Sequence, residues 1–257
     1  MITAIGRYVL NVVRGLGEFF LFVQSFFGWL GRRPFRLRVV LQQMEFIGVK
    51  SFGVVSLTAV FTGMVFALQT GYAFRLFHAE SMVGSTVGLA LTREIGPVFT
   101  ALMVVARAGS AMAAEIGTMK VTEQVDAMDV MAINPIHYLV VPRVVAATLM
   151  VPCLTCFFAF IGSVGAYFVA TQLLQINPAA FMQKLTYYVD TKDLLGGLIK
   201  SVLFGFVLAL ISCYRGYRTE GGAKGVGRST TEAVVMASVS ILVLDYFVTA
   251  WLLEFLT

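Results

Sequence analysis

Arg93, Glu94 and Arg107 interrupt a long apolar stretch of a chain that otherwise keeps charge out of its hydrophobic runs. A charged side chain at the centre of a bilayer costs about 2.5–3.5 kcal/mol on insertion scales, so each must face a cavity, a partner or another charge. Adjacent helical positions point about 100° apart, so Arg93 and Glu94 do not simply pair with one another. An arginine looking into a polar space can grip a phosphate through its fork of donors. The other use is a structural ion pair to another helix, for which Asp245, between Leu244 and Tyr246, is the candidate. The residues alone leave both uses open. Asp245 reads as a hydrogen-bonded structural carboxylate before it reads as a proton carrier. Gln69 and Tyr72 end the preceding apolar run, where polar groups would line the outer mouth of a pocket. Lys200 and Glu254 lie near the ends of apolar runs and are expected to snorkel to the interface.

A second cluster lies in 118–143, TMKVTEQVDAMDVMAINPIHYLVVPR, a charged segment between apolar runs. As a helix from Thr122 to about Met131, it puts Val121, Val125 and Met128 on one face and Glu123, Asp126 and Asp129 largely elsewhere. Thr122 is the expected N-cap and Asn134-Pro135 the expected stop. Such a helix either presses on a soluble partner or merely joins two spans.

Other motifs lead nowhere. Gly222–Ser229 imitates a phosphate-binding loop with Arg228 in place of the lysine, but no buried strand precedes it and an apolar span follows, so it reads as a flexible link between spans. Cys153, Cys156 and Cys213 lie inside apolar segments and read as buried thiols. No catalytic triad or metal-binding pattern is present, and no metal, cofactor or enzymatic step is expected in this chain.

The elements that carry these residues follow from composition. Of 257 residues, 58% are hydrophobic and only 13% charged, with mean hydropathy +0.85, which marks an all-α integral membrane protein. Five spans are expected at 46–70, 83–114, 139–173, 196–214 and 231–256, forming a single domain over 1–257. Residues 1–38 precede them, and the apolar run Phe19–Leu30 is too short to cross a core of about 30 Å. It ends in Gly31-Arg32-Arg33 and not in a small-residue cleavage site, so an amphipathic helix lying in the interface is expected. Arg7, Arg14, Arg32, Arg33, Arg36, Arg38, Lys120, Arg143, Arg215, Arg218, Lys224 and Arg228 all fall on one side. Only Arg75, Lys184 and Lys192 fall on the other. That asymmetry places the N-terminus in the cytoplasm and the C-terminus outside, and it accounts for the net charge of +5 without nucleic acid. Gly109, Ala113 and Gly117 share one face of the second span and allow close helix approach, within the chain or at a dimer seam. Pro142 suits a first helical turn, and Pro152 is expected to kink the third span.

The pattern Thr122-Glu123-Gln124-x-x-Ala127-Met128-x-x-Met131-Ala132-x-x-Pro135 resembles the MlaE family of ABC-transporter permeases. So do Leu68-Gln69-x-Gly71-Tyr72, Arg93-Glu94-x-Gly96-Pro97-Val98, Ala106–Ala111, Ala114–Gly117 and Leu244–Phe247. The resemblance covers nearly the whole chain after about residue 30. It implies a phospholipid-transport permease of the bacterial inner membrane that maintains outer-membrane lipid asymmetry. Two copies would form a lipid cavity and work with cytoplasmic ABC ATPases, which bind ATP and Mg, with a STAS-domain protein and with a periplasmic MCE-domain hexamer. Glu123, Gln124, Ala127 and Met128, within a cytoplasmic coupling helix at 120–135, would dock into the ATPase. Phe66, Gln69, Tyr72, Arg93 and Glu94 would meet lipid. The competing reading is an ion-gradient-driven transporter of a hydrophobic substrate that couples through Asp245 and Glu94; it requires inverted repeats, of which the sequence gives no convincing sign.

Overall fold

Within a bilayer each backbone N–H and C=O must be satisfied inside its own segment, and this chain meets that demand with helices. The computed structural model describes residues 2–32 and 36–256; Arg33 of the basic cluster and the side chain of Arg7 lie outside the described residues. Among the described residues eight helices follow one another: α1 (Ile2–Leu30), α2 (Leu37–Arg75), α3 (Glu80–Val121), α4 (Gln124–Val130), α5 (Ile136–Gln172), α6 (Pro178–Tyr188), α7 (Thr191–Tyr217) and α8 (Gly222–Leu256). No strand occurs among the described residues. Helices α2, α3, α5, α7 and α8 are long and apolar enough to cross a membrane.

Most span ends lie beyond their hydropathy-derived positions, because leaving the helix at the edge of the hydrocarbon would strand backbone hydrogen bonds. Helix α5 stops at Gln172, one residue short of its expected end, and α8 reaches Leu256 as expected. Several expectations need correction, among them the buried thiols: Cys213 is buried, but Cys153 and Cys156 are exposed on α5. The loop expected at 173–196 contains α6, with Asn177 accepting a hydrogen bond from the Ala179 amide at 2.9 Å and Pro178 in the first turn. Gly222–Gly227 is no flexible link but the opening of α8. Thr122 caps the end of α3, as described below.

The core lies where α5 and α7 run through the middle of the bundle, with Phe158, Phe204 and Leu208 fully buried. Helices α2 and α5 meet at two glycines: a Cβ on Gly63 would stand 1.9 Å from the Gly162 carbonyl oxygen. The face of Gly109 and Gly117 is used within the chain, against Ser212 and Thr219. Pro152 lies inside α5, which continues as helix on both sides of it.

Helix α1 lays Phe22 and Phe26 on the bundle, where Phe22 packs edge-on against Tyr214 and Phe26 against Phe206. Its other face exposes Leu10, Val13, Leu16 and Phe20, as an interfacial helix requires. Arg218 pairs with Glu18 to hold it.

Four turns widen to π-helix: Glu45–Val49 in α2, Leu91–Ile95 and Val105–Gly109 in α3, and Ile136–Val140 opening α5. Such bulges gather at functional positions. The two in α3 carry all three of its intramembrane charges, Arg93, Glu94 and Arg107.

Candidate functional site: a charged pocket within the spans

The π turn at Leu91–Ile95 aims Arg93 and Glu94 at different partners on α7. Arg93 donates through Nε to Asp193 Oδ1 at 2.7 Å, with Nη2 2.5 Å from the same oxygen. Asp193 is buried, and its Oδ2 accepts the Asp190 amide at 2.9 Å, closing a capping box at the start of α7. Glu94 receives the Lys200 ammonium at 2.5 Å, and the same Nζ reaches Asp245 at 3.2 Å and Thr249 at 2.6 Å. Thr249 donates onward to the Asp245 carbonyl at 2.6 Å.

Lys200 therefore does not snorkel. It is 2% exposed, because α7 begins at Thr191 and carries it well inside the span. A lone ammonium there would carry a desolvation cost of several kcal/mol, which two carboxylates and a hydroxyl offset. Asp245 is a structural partner, as its sequence context suggested, but to Lys200 and not to Arg93. In this ion-pair network two cations, Arg93 and Lys200, face three carboxylates, Glu94, Asp193 and Asp245.

Arg93, Glu94, Asp193, Lys200 and Thr249 line a cavity of about 210 Å³ between α3, α7 and α8. Asp190, Lys192 and Gly197 complete the wall, so that three cations and three carboxylates balance across it. The Arg93 side chain is 48% exposed, so its guanidinium has donors free for a ligand oxygen. Arg107 does not join: it donates to the Phe46 carbonyl at 2.6 Å and to Ser51 at 3.0 Å, and stands over the Phe46 ring. The residues expected at the pocket mouth fall elsewhere. Gln69 and Tyr72 are exposed near the C-terminal end of α2, and Phe66 is half-buried one turn before Gln69; none lines the charged cavity. Asp193, Lys200 and Thr249 belong to the site, although sequence pattern does not single them out for it. The signal for the first was the Asp190-x-x-Asp193 capping spacing.

At the opposite end of the bundle, α4 is held by its apolar face. Val125 and Met128 are buried with Leu139 and pack against Met119, Tyr138 and Tyr217. Lys120 bonds Asp126 at 2.6 Å. The expected N-cap is displaced: the Thr122 amide still bonds Thr118 O in α3, and the chain reverses through Glu123 in a left-handed conformation (φ 60°). Amides of Ala132 and Ile133 return to Asp129 and Met128, a Schellman closure around left-handed Ala132. Asn134 does not end this helix; it accepts the His137 amide at 3.1 Å and so starts α5. Glu123, Gln124 and Ala127 are exposed, as are Val130 (88%) and Met131, whose exposure helical spacing had not marked.

Five membrane-crossing helices, a charged pocket among them and a helix offered at one end define a multi-pass membrane protein of the permease type. Residues 40–251 match the family model described as Permease MlaE, and the chain belongs to that family. It is 43% identical over 246 residues to a probable ABC transporter permease protein of Rickettsia felis, spanning 96% of this chain and 95% of that one. It is 37% identical over 253 residues to the intermembrane phospholipid transport system permease protein MlaE of Haemophilus influenzae, spanning 97% and 96%. Over 217 residues it is 39% identical to protein trigalactosyldiacylglycerol 1, chloroplastic, of Arabidopsis thaliana, spanning 84% of this chain and 62% of that one.

Proposed function

We propose that this chain is the permease subunit of an ATP-driven phospholipid transporter in the bacterial inner membrane, with its N-terminus cytoplasmic and its C-terminus periplasmic. Two copies enclose an outward-facing lipid cavity and help maintain outer-membrane lipid asymmetry. ATP and Mg bind to a separate cytoplasmic ABC ATPase, accompanied by a STAS-domain protein, and a periplasmic MCE-domain hexamer exchanges lipid with the cavity. The observation that carries this reading is a half-exposed arginine, Arg93, in a charged cavity walled by membrane-crossing helices. An amphiphile with a phosphate head is the ligand such a place suits.

In this reading Arg93 holds the phosphate and Glu94 bounds the head group, while Phe66, Gln69 and Tyr72 on the outer half of α2 face lipid across the dimer. Glu123, Gln124 and Ala127 contact the ATPase, and Met128 anchors the helix that presents them. Clamping of Glu94 and Asp245 on one ammonium favours this reading over ion-gradient coupling, which needs a carboxylate free to change its charge.

The test is purification of the chain from its native membrane in gentle detergent, with mass spectrometry of bound proteins and lipids. Recovery of an ABC ATPase, an MCE-domain protein and phospholipid is expected. A chain that emerges alone and transports lipid without an ATPase would overturn the proposal in favour of gradient coupling.

A further inference from the structure

A second and larger cavity, about 600 Å³, adjoins the charged one. The two share a wall. Thr92 and Leu194 line the larger cavity while their chain neighbours Arg93 and Asp193 line the smaller, and α3 touches α7 between them, where a Cβ on Gly197 would stand 2.1 Å from the Thr92 carbonyl oxygen. The larger cavity is a groove between α5, α6 and α7, lined by Cys156, Phe160, Tyr167, Met182 and Leu185.

Its chemistry is that of hydrocarbon. Thr92 and Ser163 both reach it, but their hydroxyls donate to Gly88 O at 2.8 Å and Ala159 O at 2.7 Å within their own helices. The groove opens sideways along α5, where Phe160 and Val164 are exposed, at a depth where that helix crosses the membrane. Helix α6 covers its outer end: Phe181 is fully buried and packs edge-on against Tyr167, 5.7 Å between ring centres. A partner's transmembrane helix, 10–12 Å across with its side chains, would run into that cover on its way out of the membrane. An acyl chain, which ends inside the bilayer, does not.

We propose that this groove binds one acyl chain of a bilayer phospholipid, with the head group of the same molecule held towards the Arg93 side of the shared wall. The site extends the head-group reading of the charged pocket and rests on it for the kind of lipid. It makes the outer face of α5 and α6, and not the dimer seam alone, a place where lipid is held.

The experiment places the full-length chain in nanodiscs of phosphatidylglycerol and phosphatidylcholine doped with a phospholipid bearing a diazirine on its acyl chain, followed by illumination and peptide mapping. Labelling at Cys156, Phe160 and Met182 is expected to exceed, severalfold, that at Leu57 and Val239, which are exposed positions on the membrane-crossing helices α2 and α8 outside the groove. Ser163→Trp should fill the groove and remove that excess while labelling elsewhere persists. Val164→Trp, at a more exposed position, carries the same test should the first variant fail to fold. Groove labelling no stronger than at Leu57 and Val239 overturns the proposal. So does a cross-link from a photoreactive residue at Phe160 to the transmembrane helix of a copurifying protein. Labelling is read without ATP or transport, whereas the head-group reading is read by transport of the Arg93→Ala variant, so each can fail alone.

Discussion

Lys200 Nζ lies 2.5 Å from Glu94 and 3.2 Å from Asp245, so one buried ammonium ties together α3, α7 and α8. Replacing it with methionine would leave two carboxylates facing each other with no counter-charge. Removing one partner from a buried pair costs about 3–5 kcal/mol. Glu94 is 42% exposed and can regain water, which places Lys200→Met near the lower figure. The thermal midpoint in detergent should fall markedly. The triple variant Lys200→Met, Glu94→Gln, Asp245→Asn should recover most of it, and failure to recover would show that the network is not the source of the loss.

Arg93 serves two masters, the buried carboxylate of Asp193 and, in the proposed function, a lipid phosphate. Arg93→Ala removes a charged hydrogen bond of about 1.5–3 kcal/mol, which corresponds to a roughly tenfold to hundredfold loss of lipid affinity. It also strands Asp193. Adding Asp193→Asn keeps an oxygen for the Asp190 amide and should restore stability without restoring transport. Lipid transfer in proteoliposomes decides: normal transfer by the folded double variant would remove Arg93 from the head-group site.

The five spans and α1 were legible because a bilayer filters composition so strictly. Their ends were not, because hydropathy reports the hydrocarbon and hydrogen bonding sets where a helix stops. Lys200 shows the consequence: a span begun at 196 puts it at a boundary, while a helix begun at Thr191 puts it in the interior. The burial of Val125 and Met128 followed from helical spacing, whereas the cap at Thr122 failed because a single left-handed residue, Glu123, reverses the chain. The pairings Arg93–Asp193 and Lys200–Glu94 join residues 100 or more apart in sequence, and no local pattern encodes them. The glycines at 222–227 misled for another reason. Gly225 is needed where a Cβ would meet the Glu220 carbonyl oxygen at 1.8 Å, inside a helix.

In the proposed function α4 has two jobs, anchoring and coupling, which the family resemblance had placed together on Glu123, Gln124, Ala127 and Met128. Met128→Ala should loosen its seat at a cost of about 2 kcal/mol, the low end for buried methionine, and lower thermal stability with or without an ATPase present. Val130→Asp alters a side chain 88% exposed and should leave stability unchanged while abolishing copurification of the ATPase. Retention of the ATPase by Val130→Asp, Glu123→Ala and Ala127→Asp variants alike would exclude this face from coupling.

Docking of α1 depends on pH through Glu18. The hydrogen bond from Arg218 holds its carboxyl below the ordinary value of 4.5, with Arg14 adding and desolvation opposing. A lowered folded value means the contribution is complete above 4.5 and is lost as pH falls through the folded value. Fluorescence of Trp29, in a background carrying Trp251→Phe and also His137→Gln to remove the imidazole 5.8 Å from its ring, should be flat from pH 7 to 5 and change only below about 4.5. Glu18→Gln should abolish that acid transition; its persistence would assign the pH response to another group.

The contact between α2 and α5 gives the sharpest steric prediction. Gly63 approaches the Gly162 carbonyl so closely that a Cβ would lie 1.9 Å from its oxygen. The obstacle is backbone, which cannot rotate aside as a side chain would, so Gly63→Ala must push two membrane helices apart. Overpacking of this kind costs about 1–3 kcal/mol and at times more, and here it acts along the most extensive helix pair of the bundle. A Cβ on Gly53, in the same helix, would meet nothing within 4 Å, so Gly53→Ala serves as the control. The Gly63 variant should lose thermal stability while the control keeps or slightly gains it, since alanine favours helix over glycine by about 1 kcal/mol. Equal stability of the two variants would mean that α2 and α5 do not meet at this depth.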